Sequence, residues 1–240
     1  MRTLHRTLTI MCCFAVALLL AWKLLHATNY GFNFWYSQLK IEEHISKYAP
    51  QNRQGKTGFE KTNKAERIEL FRAIGHAVNN GGEGLRTLSY QAHPDAKPLL
   101  LLTDPEAVHL EDVAILIDLL VPIGWAALGL LIVLIIIARV RALPLPGLRV
   151  SIITLLCIVL VLGVIIVAIG PKEVFRWLHE AVFPDDHQWF FFYQDSLMTT
   201  LMKAPDIFFA IGAAWAVIAA VIYLLISLLF RVIDVKKPAT

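Results

Sequence analysis

The sequence predicts an all-α membrane protein: a bundle of four transmembrane helices with a small α+β extracytoplasmic cap and an interfacial helix. Three observations carry this. Of 240 residues, 57% are hydrophobic and only 17% charged, which is too apolar for an ordinary soluble domain. Four runs, Leu8–Leu25, Ala114–Ala138, Val150–Gly170 and Ile207–Phe230, have the length and composition of bilayer-crossing helices. The basic residues collect on one side of these runs.

That asymmetry sets the orientation. Arg2 and Arg6, then Arg139, Arg141 and Arg149, then Arg231, Lys236 and Lys237 flank the same side, with Asp234 the one acid among them. Short basic flanks stay in the cytoplasm, so both termini are expected there. Segments 26–113 and 171–206 then face outward. The first run, within 1–25, reads as a retained anchor, because Lys23 and His26 follow its apolar core and no clear small-x-small cleavage site appears. All three cysteines, Cys12, Cys13 and Cys157, fall inside apolar runs, where a buried structural role is the default.

The elements follow in order. Thr28-Asn-Tyr-Gly-Phe-Asn-Phe-Trp-Tyr36 leaves the first span with the aromatic residues of an interfacial belt. Residues 26–104 are expected to form the cap. In it, Asn63-Lys-Ala-Glu66 has capping-box spacing. Ile68, Phe71, Ile74 and Val78 then recur at helical intervals before Asn79-Asn-Gly-Gly82 stops the helix. The stretches 85–91 and 98–103 read as two short strands bounded by Gly, Pro or Asp. Thr103-Asp-Pro-Glu106 is a helix start, with a cap, an early proline and early acids. The second span is therefore expected over 105–138, its first turns outside the membrane. A short basic link, 139–149, leads to the third span at 150–170. The outer segment 171–206 combines an apolar-sided helix with an aromatic run, and the last span, 207–230, precedes a cytoplasmic tail at 231–240.

Candidate chemistry gathers at the outer face. His109 and Asp112 stand three apart on one helix, about 60° apart around its axis. A carboxylate there can fix the tautomer of an imidazole and raise its basicity, making His109 a candidate general base. The plain alternative is a polar turn where the helix begins. Asp118 lies just inside the apolar run, where carboxylates face a partner or a wet cavity. His179 belongs to a short helix suited to the interface, and Trp189-Phe-Phe-Phe-Tyr193 either anchors in the membrane or walls an acyl chain. Metal binding by His109, Asp112 and His179 is a third reading, but neither HExxH nor CxxC spacing supports it. No metal or cofactor is expected. Ser196 has no nucleophile elbow around it, and no basic cluster beyond the cytoplasmic flanks suggests a nucleic-acid partner.

These pieces resemble a known family. His109-Leu-Glu-Asp-Val113 at the mouth of a second span resembles the H-x-x-D-V element of a family of four-span bacterial membrane proteins that includes the lipoprotein intramolecular transacylases. The later run resembles its other signature: His179-Glu180, Phe183, Trp189, Asp195, Pro205 and Phe208-Phe209. The resemblance implies transfer of an acyl chain from the sn-2 ester of a lipoprotein's diacylglyceryl group to the α-amine of its N-terminal cysteine. It ties His109 and His179 to catalysis, with Asp112 orienting His109. Asp118, Phe183, Trp189 and Asp195 are the expected substrate contacts, and a diacylglyceryl-modified lipoprotein and membrane lipid the expected partners. Ala114 departs from the lysine common at that place, and the outer segment differs from better-known members. Such a reaction needs a base and an oxyanion donor but no protein nucleophile. Two other readings stand beside it: a phospholipid acyltransferase or esterase of the inner membrane, and a non-enzymatic scaffold or sensor whose cap binds a partner.

Overall fold

The computed structural model describes residues 2–235, with side chains through Val232. Lys236 and Lys237, two of the expected cytoplasmic flank residues, lie outside the described residues. The chain is mostly helical: α1 (Arg2–Ala27), α2 (Phe32–Gln38), α3 (Ile41–Tyr48), α4 (Lys64–Val78), α5 (Asp104–Val140), α6 (Leu148–Ile169), α7 (Pro171–Val182), α8 (Leu197–Met202) and α9 (Asp206–Val235). Helices α1, α5, α6 and α9 are each long and apolar enough to cross a membrane. The chain divides into two compact units. One holds the chain up to Leu24, Leu120–Leu178 and the chain from Ala214; the other holds Leu25–Leu119 and His179–Ala213.

The first unit contains the greater part of the spans. Its core joins Cys13, Val16 and Ala17 of α1 with Leu131 and Leu134 of α5 and Tyr223 and Phe230 of α9. A Cβ added to Gly124 would sit 2.9 Å from Leu19 Cβ, so glycine is what lets α5 lie that close to α1. Two polar side chains here are paired within the bundle. The Trp215 indole donates to the Leu18 carbonyl at 2.9 Å, and Ser227 donates to Ser151 at 2.8 Å. Outside this core the surface stays apolar, and in α6 none of the most hydrophobic window is buried. Cys157, expected to be buried, is exposed on α6. Its neighbours Leu156 and Leu160 are exposed too, as suits a helix whose solvent is lipid.

The second unit is built like a water-soluble core. Phe32 stacks on Phe71 with ring centroids 3.9 Å apart, and the Arg67 side chain is buried beside them. Its guanidinium donates to Thr62 Oγ1 (2.9 Å), the Tyr36 hydroxyl (2.7 Å) and the Glu60 carbonyl (2.9 Å), and pairs with Glu42 at 2.8 Å. A buried charge is tolerated when its donors are satisfied in this way. Asn63 caps α4 by accepting from the Glu66 N–H at 2.9 Å. Glu66 does not complete the reciprocal box; its side chain accepts from the Gln91 N–H instead. The two strands are shorter than the sequence suggests. Only Ser89–Tyr90 (β1) and Leu99–Leu100 (β2) pair, antiparallel, because Leu85–Thr87 coils into a single 3₁₀ turn.

At the head of α5, Glu106 is fully buried. Its Oε2 accepts from the Thr103 N–H (2.6 Å) and hydroxyl (2.7 Å), with the Lys56 ammonium 3.8 Å away. Its Oε1 accepts from the Ser196 hydroxyl and the Met198 N–H. Burial pushes the Lys56 ammonium down, and Glu106 opposes that shift. Removing one member of a buried ion pair strands the other, so Glu106→Ala is expected to destabilise the protein by about 3–5 kcal/mol. The thermal midpoint of detergent-solubilised protein measures this; an unchanged midpoint contradicts it.

His44 is also buried, edge-on to Tyr193 with centroids 4.3 Å apart. Desolvation, helped by Lys203 and Lys47 and opposed by Asp206, pushes its imidazole down to about 4. The unfolded chain then takes up this proton at higher pH than the folded one. The stability His44 contributes is present above about pH 6.5 and lost as pH falls toward 4. Replacing it in His44→Gln is expected to flatten the fall in thermal midpoint across that window.

Candidate active site

Helix α5 carries His109 one turn inside its capped start, and α7 carries His179 near its end. The two imidazoles face one another with ring centroids 6.2 Å apart and planes 28° from parallel. This spacing exceeds direct hydrogen-bond reach and suits one intervening group. Aromatic rings close in around the pair. Phe183 lies 5.0 Å from His109 and 5.3 Å from His179, and Trp189 lies 4.8 Å from His179. Phe191, buried, lies 6.1 Å from His109. His109 Nδ1 is sealed from solvent without a hydrogen-bond partner among the described residues. A buried polar atom left unpaired is costly, so this nitrogen is open to a bond with a bound group.

Asp112 corrects one expectation. Its carboxylate does not bond His109; Asp112 Oδ2 lies 2.7 Å from His187 Nδ1. Residues three apart on a helix are neighbours, but their side chains splay about 60°, and Asp112 turns to a ring arriving from the loop. The bond to Asp112 raises the His187 imidazole above its usual range. No motif or spacing in the sequence singles out His187, whose part here is a tertiary one.

Two other expected contacts lie elsewhere. Asp118 stands nine residues beyond His109, about half a turn round the helix. It borders the glycine turn instead, where a Cβ on Gly81 would come 3.7 Å from its Oδ2. Its neighbour on that side, Glu111, is held by both arms of Arg86 at 2.7 and 2.8 Å. Asp195 pairs with Arg53 at 3.7 Å. Phe183 and Trp189 are the expected contacts that the structure brings to the histidines. Ser196 caps α8 by accepting from the Thr199 N–H at 2.9 Å and donates to Glu106. Ala114 is fully buried, so it marks a place with no room for a lysine's ammonium.

Phe191 and Glu106 were not singled out, because tertiary contacts set their burial. From His187 to Phe192 burial alternates: His187 and Trp189 are half-buried and Phe191 buried, whereas Gln188, Phe190 and Phe192 are exposed. That period of two marks an extended segment with one face inward. Among the described residues, no three His, Cys, Asp or Glu side chains converge closely enough to hold a metal ion.

Known proteins with this architecture point in one direction. Solved structures of the membrane-integral lipoprotein intramolecular transacylase from Bacillus cereus match over nearly the whole chain. One aligns with a TM-score of 0.68 at 17% identity, covering 99% of this chain and 95% of that one. A second gives 0.67 at 16% identity, covering 99% and 97%, and a third 0.65 at 17%, covering 98% and 93%. The first and third carry a substitution at a histidine. No functionally curated protein matches the chain in sequence. The family model for the lipoprotein intramolecular transacylase Lit matches residues 7–209, and with four apolar helices of spanning length the chain belongs to this family of integral membrane transacylases.

Proposed function

We propose that the protein moves an acyl chain from the sn-2 ester of a lipoprotein's diacylglyceryl group to the α-amine of the N-terminal cysteine on the same molecule. The observation that carries this is the facing pair of imidazoles, 6.2 Å apart within aromatic walls. The amine attacks the ester carbonyl, and a tetrahedral intermediate forms. His109 takes the proton that the nitrogen loses. His179 stands opposite, where it can polarise the carbonyl and pass a proton to the departing glyceryl oxygen. The C–N bond is complete in the intermediate; its collapse breaks the C–O bond, and the proton lost by nitrogen is in net delivered to the glyceryl oxygen, leaving an amide and a free sn-2 hydroxyl. The nucleophile comes from the substrate, so neither serine nor cysteine of the protein is consumed.

The walls supply the rest. Phe183, Trp189 and Phe191 exclude water from the developing charge, where a fixed dipole acts more strongly than in bulk solvent. Amine and ester already share one molecule, so holding them in register converts their meeting into an intramolecular step. The active face is assigned to the outer side of the bacterial inner membrane and both termini to the cytoplasm, on the strength of the basic flanks at Arg2, Arg6, Arg139, Arg141 and Arg149. Asp112 enters through His187 in this reading, and Asp118 and Asp195 act outside the histidine pair.

Tandem mass spectrometry of a reporter lipoprotein's N-terminal peptide tests the assignment, because transfer within one molecule leaves its total mass unchanged. Cells with the protein are expected to yield fragments with one acyl chain on nitrogen and one on glycerol. Identical fragmentation in cells lacking it overturns the reading. His109→Ala and His179→Ala are each expected to lower the rate about 10²–10⁴-fold while the protein accumulates normally.

A further inference from the structure

We infer that His187 is a positioning residue for the transfer site: its bond to Asp112 pins the register of the extended segment 187–191, and so decides which aromatic side chains face the histidine pair.

The segment between α7 and α8 has no regular secondary structure from Pro184 to Asp195, so nothing in a backbone ladder fixes it. Its far end is tied down. The Arg53 N–H donates to the Gln194 carbonyl at 2.8 Å, and the Tyr193 hydroxyl donates to the Ala204 carbonyl at 2.7 Å. In the middle, the 2.7 Å bond from His187 Nδ1 to Asp112 links the segment to α5, the helix that carries His109. Asp112 is three residues from His109 on a stiff helix, and its side chain is only 11% exposed. A carboxylate so covered demands a partner, and among the described residues His187 supplies it.

The consequence follows from the period of an extended chain. Residues two apart share a face, so fixing His187 toward α5 also turns Trp189 and Phe191 inward, onto His179 and His109. Phe190 and Phe192 are thereby turned out, 56% and 62% exposed. A slip of one residue would exchange these sets. The flanking residues make such a slip easy to accommodate, since three consecutive phenylalanines differ little in hydrophobicity or size. Sequence alone therefore does not fix the register here, and the histidine–carboxylate bond does.

This role rests on the proposed acyl transfer for its kinetic readout but not for its structural one. In lipid nanodiscs without substrate, His187→Leu, which keeps bulk but loses the donor, is expected to speed amide hydrogen exchange over residues 185–193 relative to the wild type. His187→Asn, which retains an N–H donor, is expected to restore most of the protection. With a diacylated lipopeptide, His187→Leu is expected to lower kcat/KM about tenfold, the loss of one charge-assisted hydrogen bond. Asn is expected to recover most of that loss as well. If His187→Leu does not accumulate, His187→Ala, smaller and without a side-chain donor, is compared with His187→Asn in the same two measurements. Unchanged exchange in the donor-less variant overturns the inference. So does a failure of Asn, which holds a donor but cannot shuttle a proton, to rescue the rate, which would place His187 in proton transfer. If the wild type makes no N-acyl product, the acyl-transfer reading fails, while the exchange comparison still decides whether the bond sets the register.

Discussion

The geometry of the site depends on keeping the carboxylate of Glu106 satisfied while it is fully buried. A carboxylate without water is stable only when nearly all its acceptor positions are filled. Filling them draws together Thr103 from the head of α5, the ammonium of Lys56, and Ser196 and Met198 from the start of α8. That cluster fixes where the chain returns to α5 after the aromatic segment. Three residues further along the same helix comes His109, and three further again Asp112, each about 60° round from the last. The three positions meet the returning chain in reverse order: Ser196 at Glu106, Phe191 at His109, and His187 at Asp112. Two acids therefore hold the ends of a short strip, and the histidine between them is presented to its partner.

How much of this could be read in advance depended on whether its cause was local. The apolar runs declare four spans because a bilayer demands length and composition, not partners. The cap of α4 by Asn63 and the start of α5 at Thr103 are short-range events within four residues, and both were legible. His109 and His179 were legible as chemically unusual residues at the ends of apolar elements. The partner of Asp112 was not, because helix spacing names the neighbours on one helix and says nothing of a ring 75 residues away. For the same reason Glu106 looked like an acid favouring the helix dipole, although its burial is a tertiary fact. The strands shrank to two residues each because leucine-rich stretches fit a strand or a turn equally well until packing chooses.

The two units answer to different solvents. In the unit with Arg67 and Glu106, buried charges such as these two are paired, around stacked rings such as Phe32 and Phe71. In the unit holding most of the spans, apolar side chains point outward, and small residues such as Ala17, Ala21 and Gly124 mark the helix contacts. Lipid is as apolar as leucine, so these contacts rest on close fit and on bonds such as Ser227 to Ser151. A charge introduced on α6 would meet hydrocarbon, whereas the same charge on the exposed face of α4 would meet water.

The alternation in the aromatic segment has a thermodynamic consequence for a substrate that is itself a lipid-anchored protein. Phe190 and Phe192 point away from the histidines and Phe191 toward them, so one strip of chain is apolar on both faces. An acyl chain leaving the bilayer for this site exchanges one hydrocarbon surrounding for another. The transfer free energy that drives ligands out of water into protein pockets is then largely absent. Under the proposed transfer, discrimination falls to the polar end of the substrate, the ester and the amine. Such a site recognises the reacting functional groups more than the tails that carry them.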